Sequence, residues 1–200
     1  MSVRVFTCPP PPVRRREILR YMGVTTPDAG VDAMLDELLR LCLPVLSYRV
    51  CYCYCDLKQC GTVLNFGAFS TASRDLARSL CGCERALILA ATVGLELDRL
   101  LARTAATSPA RALCLQAIGA ERIEALCDTF CKHASLELSR DGRRLRPRFS
   151  PGYGDLSLDT QRALFTLLDP ARHIGLTLTE QLLMSPTKSV TAIAGIEVIP

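Results

Sequence analysis

Hydrophobic positions recur along this chain with two periods, and the switches between them mark out its elements. "VRRREILRYMG" has apolar residues at helical spacing and stops at Gly23. In "TTPDAGVDAMLDELLRLCLP", Val31, Met34, Leu35, Leu38, Leu39 and Cys42 fall on one helical face, with Thr26 as a capping candidate, Pro27 suited to the first helical position and Pro44 closing the far end. From Ser47 to Asp56 the period drops to two with apolar side chains on both faces, which predicts an inner strand. "GTVLNFGAF" reads as a second strand, leading into a helix over "TASRDLARSL". The continuous apolar run in "CERALILAATVG" predicts a buried strand that gives way at Gly94 to a helix over "LELDRLLARTAA". Ser108 and Pro109 open the longest segment, "SPARALCLQAIGAERIEALCDTFCKHASLEL", in which Gly119 is read as a close contact point, not a break.

A basic turn follows, "SRDGRRLRPRFSPGYGD", then a helix over "LDTQRALFTLLD" and two strand-like pieces around a Ser-Pro turn in "IGLTLTEQLLMSPTKSVTAIAGIEV". No repeat or low-complexity block interrupts residues 14 to 197. The pattern predicts one α+β domain over residues 14–200, with a central antiparallel or mixed sheet flanked by helices. Residues 1–13 form an extended proline-rich N-terminus, because Pro9 to Pro12 hold the backbone extended.

Composition narrows the function. At 49% hydrophobic residues, a chain of 200 can bury a sizeable core. No apolar run approaches the roughly 18 to 20 residues of a membrane helix, and the N-terminus lacks an apolar signal core. A cytoplasmic protein without membrane contact is expected. The net charge is +4, and all but three of the cations are arginine, the side chain suited to planar anions. Arg14 to Arg16 and the later cluster of Arg140, Arg143, Arg144, Arg146 and Arg148 are too short for a nucleic-acid stripe and lack interleaved aromatics, so no nucleic-acid partner is expected.

Eleven cysteines raise the question of metal. Cys51, Cys53 and Cys55 alternate with tyrosines at strand period, which places neighbours about 6.6 Å apart. That is too far for two thiolates on one zinc with bonds of about 2.3 Å unless the strand bends. No pair has C-x-x-C spacing. The cysteines read as small buried hydrophobes in a reducing compartment, with a metal protein as the competing reading. Nucleophile-elbow, zinc-helix, phosphate-loop and dinucleotide motifs are absent, and the two histidines, His133 and His173, have no carboxylate and nucleophile at a telling spacing. No catalytic side chain is expected.

The stretch "RPRFSPGYGD" is different because its parts agree. Pro147 and Pro151 stiffen the backbone, while Gly152 and Gly154 permit positive φ and close approach of a ligand to the main chain. Exposed amides in such a turn bind anions or a heteroaromatic edge. Arg148 adds a fork for a carboxylate, and Tyr153 a flat face with a hydroxyl. On these grounds alone it is either a small-molecule turn or an ordinary Pro/Gly loop.

"RFSPGY" also fits the R-x-x-x-G-Y motif of the S-adenosylmethionine-binding activation domain of cobalamin-dependent methionine synthase, and "LTLTEQLLMSPTKSV" resembles that family's L-T-E-S…M-x-P…S-V segment. The order of elements over residues 48 to 195 is similar too. The resemblance implies that fold and a role in reactivation, in which inactive cob(II)alamin is reductively methylated with S-adenosylmethionine. It implies that Arg148 holds the methionine carboxylate, that Gly152 gives close backbone approach beside Pro151, and that Tyr153 lines the site. Glu124 falls near an acidic position that faces the ligand ammonium, and Glu180 supports the pocket from the second motif. Gln181 stands where the family usually has Ser, and the family's aromatic contact and N-terminal acidic contact to the ligand are unmatched.

No D-x-H-x-x-G loop occurs in the chain. Cobalamin would therefore be bound by a partner, a cobalamin-dependent methionine synthase or another corrinoid protein, with a flavodoxin- or ferredoxin-like reductant as electron donor. The chain would be a stand-alone activation subunit. The alternative is a non-catalytic module of the same fold that docks on or regulates a corrinoid methyltransferase without binding S-adenosylmethionine.

Overall fold

The apolar runs dictate which strands go inside. In this computed structural model, which describes residues 2–199, strand β1 is Arg4–Thr7, helix α1 is Arg15–Met22, helix α2 is Ala29–Cys42, and strand β2 is Arg49–Asp56. Met1 and Pro200, the outer ends of the two expected segments, lie outside the described residues. Three short strands follow, β3 (Lys58–Cys60), β4 (Val63–Asn65) and β5 (Ser70–Ala72), then helix α3 (Arg74–Ser79), strand β6 (Arg85–Thr92), and helices α4 (Glu96–Ala105) and α5 (Pro109–Ser139). Strand β7 (Arg143–Leu145), helices α6 (Thr160–Leu168) and α7 (Pro170–Ile174), and strands β8 (Thr177–Leu178), β9 (Met184–Ser185) and β10 (Ser189–Val198) complete the order.

The main sheet runs β1-β2-β6-β10-β7 and is antiparallel throughout. The most apolar strand, β6, sits in the middle, where both faces are covered. Strand alternation sorts the side chains into two cores. Val50, Tyr52, Leu87, Leu89, Ala192 and Ala194 face α1, α2, α4 and α5. Cys51, Cys53, Cys55, Ile88 and Ile193 face the other way, against Leu76 of α3, Leu164 and Leu168 of α6 and Ile174 of α7. The result is a sheet between two helical layers, and the expected inner strand with its buried cysteines is β2. All three thiols are free, and burial pushes Cys51 and Cys55 up to about 12 and Cys53 to about 11.

Several expected boundaries move. The cap of α2 is Asp28, whose carboxylate accepts from the Val31 N–H at 2.8 Å, so Thr26 and Pro27 lie ahead of the helix. "GTVLNFGAF" is not one strand. Residues 66 to 69 turn between β4 and β5, closed by the Phe66 N–H donating to the Phe69 carbonyl, and with β3 they form a separate small sheet. Helix α3 starts only at Arg74, because Ser73 caps it by accepting from the Leu76 N–H. Gly119 is the expected close contact: a Cβ there would lie 2.5 Å from Leu97 Cδ2 and 2.8 Å from Lys188 Cγ. No helix among the described residues is long and apolar enough to cross a membrane. Nor does any group of three or more His, Cys, Asp or Glu among them have a metal-holding arrangement.

Candidate functional site

The loop 146–155 runs on from β7 alongside β10, with Arg148 bonded to α5. Phe149 pairs with Ile193 through two N–H···O bonds of 2.8 Å, which pins the loop to β10 beyond the end of β7. Pro151 is buried behind it, and the chain then turns at Gly152 (φ +89°) and Gly154 (φ +53°). A Cβ on Gly154 would meet Asp75 Oδ2 at 2.5 Å, so only glycine lets the loop close on α3. Asp155 fastens that closure. Its carboxylate accepts from Ser73 Oγ (2.5 Å) and from the backbone N–H groups of Arg74 (2.8 Å) and Asp75 (3.1 Å). These bonds, the Ser73 hydroxyl foremost, hold the Asp155 carboxyl down to about 2.

Inside this frame lies a cleft of about 430 Å³, within the size range of small-molecule sites. One wall carries Glu124 from α5 with Arg148, Phe149, Pro151 and Tyr153 from the loop. The rest of the lining comes from Ser150 of the loop, Gln161 at the start of α6, Met184 of β9, and Ser189, Val190 and Thr191 of β10. Four of the six residues expected from sequence thus meet in one place. Gly152 and Glu180 do not line it. The Gly152 N–H is donated within the loop to the Leu156 carbonyl at 2.9 Å, so what Gly152 supplies is the turn. Glu180 lies exposed on the β8–β9 connection, where its backbone carbonyl accepts from Arg162 Nη2 at 2.6 Å.

Among the described residues Arg148 is the only cation on the cleft wall, and its side chain is 20% exposed. Its Nη2 donates to Glu124 Oε2 at 3.1 Å and to Asp128 Oδ1 at 3.0 Å, two carboxylates one helical turn apart on α5. Among the described residues, the bonds to Arg148 use Nη2 alone, so Nε and Nη1 remain for a planar anion. A guanidinium beside a carboxylate is complementary to the carboxylate and ammonium of an α-amino acid. Behind the pair, burial pushes the Cys127 thiol up to about 12, so it stays neutral.

Gln161 Oε1 and Thr191 Oγ1 are buried without a hydrogen-bond partner, at residues only 6% and 2% exposed. Buried polar atoms are rarely left unpaired, and both of these belong to residues that line the cleft. Ser189, by contrast, is already held between Thr92 Oγ1 (2.9 Å) and the Pro186 carbonyl (2.8 Å). Sequence reading singled out neither Gln161 nor Thr191. Thr191 stands inside the apolar run of β10 and Gln161 among polar residues at the start of α6, and only the fold brings both into the lining of the cleft. Tyr153, at 70% exposed, stands at the rim.

A single α+β domain with a partly polar cleft lined by α5, α6, β9, β10 and the loop after β7 is the class that fold and site define. Comparison with known proteins makes this more specific. Residues 142–197 match the family model described as vitamin B12 dependent methionine synthase, activation domain. That segment holds every cleft residue named above except Glu124. The fold is similar to the crystal structure of the MetH reactivation domain bound to AdoHcy, with a TM-score of 0.70 and 16% sequence identity, over 98% of this chain and 78% of that one. No curated protein matches the chain in sequence. The resemblance to the activation domain of cobalamin-dependent methionine synthase therefore holds in the motif-bearing segment and in the fold.

Proposed function

We propose that this chain binds S-adenosylmethionine in the cleft and supports reductive methylation of cob(II)alamin held outside these 200 residues, by a cobalamin-dependent methionine synthase or a related corrinoid protein. The observation that carries the reading is the Arg148–Glu124 pair in the lining of the cleft. Arg148 and Glu124 match the ligand's amino-acid end, and Gln161 and Thr191, lining residues whose Oε1 and Oγ1 lack partners, would turn to the rest of a polar ligand.

The ligand would bring a methyl group on a positively charged sulfur, and a flavodoxin- or ferredoxin-like donor the electron. Methyl transfer of this kind asks the protein only for alignment and a dry site. That fits a cleft without histidine: Arg148 and Glu124 orient, Phe149 and Met184 exclude water, and no side chain has to move a proton. As a separate activation subunit, the chain would act in solution on its corrinoid partner.

A calorimetric titration with S-adenosylmethionine and AdoHcy tests the binding half. Saturable binding at or below millimolar ligand is expected. The second half is tested by adding the chain to a methionine synthase inactivated as cob(II)alamin, with S-adenosylmethionine and a reductant, where recovery of turnover should depend on all three additions. The non-catalytic module remains the second reading, favoured by one observation: the charge of Arg148 is already countered by two carboxylates. A chain that binds neither ligand at millimolar concentration would make it the better one.

A further inference from the structure

Behind the cleft, Arg148 is held by an ionic chain that begins in the N-terminal proline segment. Glu121 and Arg122, neighbours on α5, have no exposed side-chain surface. Arg122 donates to the carbonyls of Pro11 (2.6 Å) and Pro12 (2.8 Å) and to both Glu121 oxygens. Arg14, two residues beyond those prolines, gives its backbone N–H and its Nε to Glu121 Oε1 at 3.3 and 3.1 Å. Its Nη1 reaches further along α5 to Asp128 Oδ2 at 2.9 Å. The other oxygen of that carboxylate, Asp128 Oδ1, accepts from Arg148. One carboxylate is thus shared between a cleft arginine and an arginine that does not line the cleft.

We infer that Arg14 is a positioning residue for the carboxylate of the cleft ligand, acting through Asp128 on Arg148; the inference rests on the amino-acid-bearing ligand proposed above. The argument is charge and geometry. Arg14 and Arg148 balance Glu124 and Asp128, so the wall is neutral when a ligand carboxylate arrives. Without Arg14 the wall carries a net negative charge against the guanidinium that must receive an anion. Asp128 also loses the partner that keeps one of its oxygens turned away, and can then offer both to Arg148, competing for the donors a ligand needs. Both effects fall on the carboxylate of a ligand and spare its nucleoside part. Arg14 and Asp128 are each about two-fifths exposed, so screening keeps the effect moderate.

The test is calorimetry on the full chain with two probes: AdoHcy, and 5′-methylthioadenosine, which lacks the amino-acid carboxylate and ammonium. Arg14→Ala should weaken AdoHcy about three- to tenfold and leave 5′-methylthioadenosine within about twofold. In an Asp128→Asn background the same replacement should change AdoHcy binding by less than about twofold, because the shared carboxylate is gone. Arg14→Lys should recover part of the loss. Equal weakening of both probes, or an undiminished effect in the Asp128→Asn background, would reduce Arg14 to general support of α5 and overturn the inference. If Arg14→Ala does not fold, Arg14→Gln, which retains a donor for Glu121, carries the same comparison. A parent that binds AdoHcy while the Arg14 variants match it sinks this inference alone; a parent that binds neither probe sinks the proposed ligand as well.

Discussion

Arg148 meets two demands at once: it must be held still, and it must keep donors free. Nη2 between Glu124 and Asp128 meets the first, and the remaining edge of the guanidinium meets the second. Replacing Arg148 with Ala should weaken S-adenosylmethionine binding about ten- to a hundredfold, the loss of a charge-assisted pair of about 1.5 to 3 kcal/mol. Arg148→Lys should restore only part, since a point charge lacks the fork; calorimetry reads both, with thermal melts showing that the fold persists. Arg148 was legible in the sequence because prolines, glycines and an arginine within one short loop act on each other locally. Gln161 and Thr191 were not, because a polar residue in the first turn of a helix, or one alone in an apolar strand, has no meaning until its neighbours across the chain are known. The cysteines divide in the same way. Cys60 and Cys81 are exposed, whereas Cys51, Cys53 and Cys55 lie in the core with thiols pushed far above neutrality by burial. With a thiol reagent at pH 8, Cys60 and Cys81 should react at once and the three strand thiols only on unfolding, as peptide mapping by mass spectrometry would show.

Between elements, the contacts that fix the cleft are small and specific. Asp155 joins the loop to the start of α3, and its depressed carboxyl links that joint to pH. A folded-state value below the ordinary 3.8 means that its stabilisation is complete above that pH and is lost as pH falls through about 2. Asp155→Asn should therefore melt below the parent at pH 5, and the gap should close between pH 4 and pH 2. A gap independent of pH would show that the charge does not make the joint. On the far side, Gly119 lets α5 lie against Leu97 of α4 and against Lys188, just before β10. Gly119→Val should cost about 1 to 3 kcal/mol through forced displacement of those side chains, measurable by urea unfolding. The sequence pointed to Gly119 because a glycine in the middle of a long helix is destabilising unless something needs the space. The end of the strand in "GTVLNFGAF" at Asn65 was missed because apolar residues continue through the turn at 66 to 69, and only the antiparallel pairing of β4 with β5, at Ser70–Ala72 beyond that stretch, shows where the chain folds back.

Across the whole molecule, the N-terminal segment is part of the same structural unit as the sheet. β1 forms an edge of the main sheet, and the carbonyls of Pro11 and Pro12 are two of the four acceptors for the buried Arg122, the others being the Glu121 oxygens. Removing residues 2–12 should cost about 3 kcal/mol or more, because it leaves a buried guanidinium short of partners; chemical denaturation of the truncated chain checks this, and an unchanged midpoint would refute it. By itself the sequence determined the order of the longer helices, the inner position of β2 and β6, and the loop around Arg148, since periodicity, caps and turn residues act over a few neighbours; the short strands β1, β3, β5 and β7 and helix α7 carry too few residues to show a period. Only the tertiary structure decided that both faces of the sheet are covered by helices and that Glu124, Gln161 and Thr191 close around that loop. It alone joined Pro11 to Arg148 through Arg122, Glu121, Arg14 and Asp128, because ionic contacts between residues more than a hundred positions apart leave no period in a sequence and exist only where the folded backbone brings the charges within bonding distance.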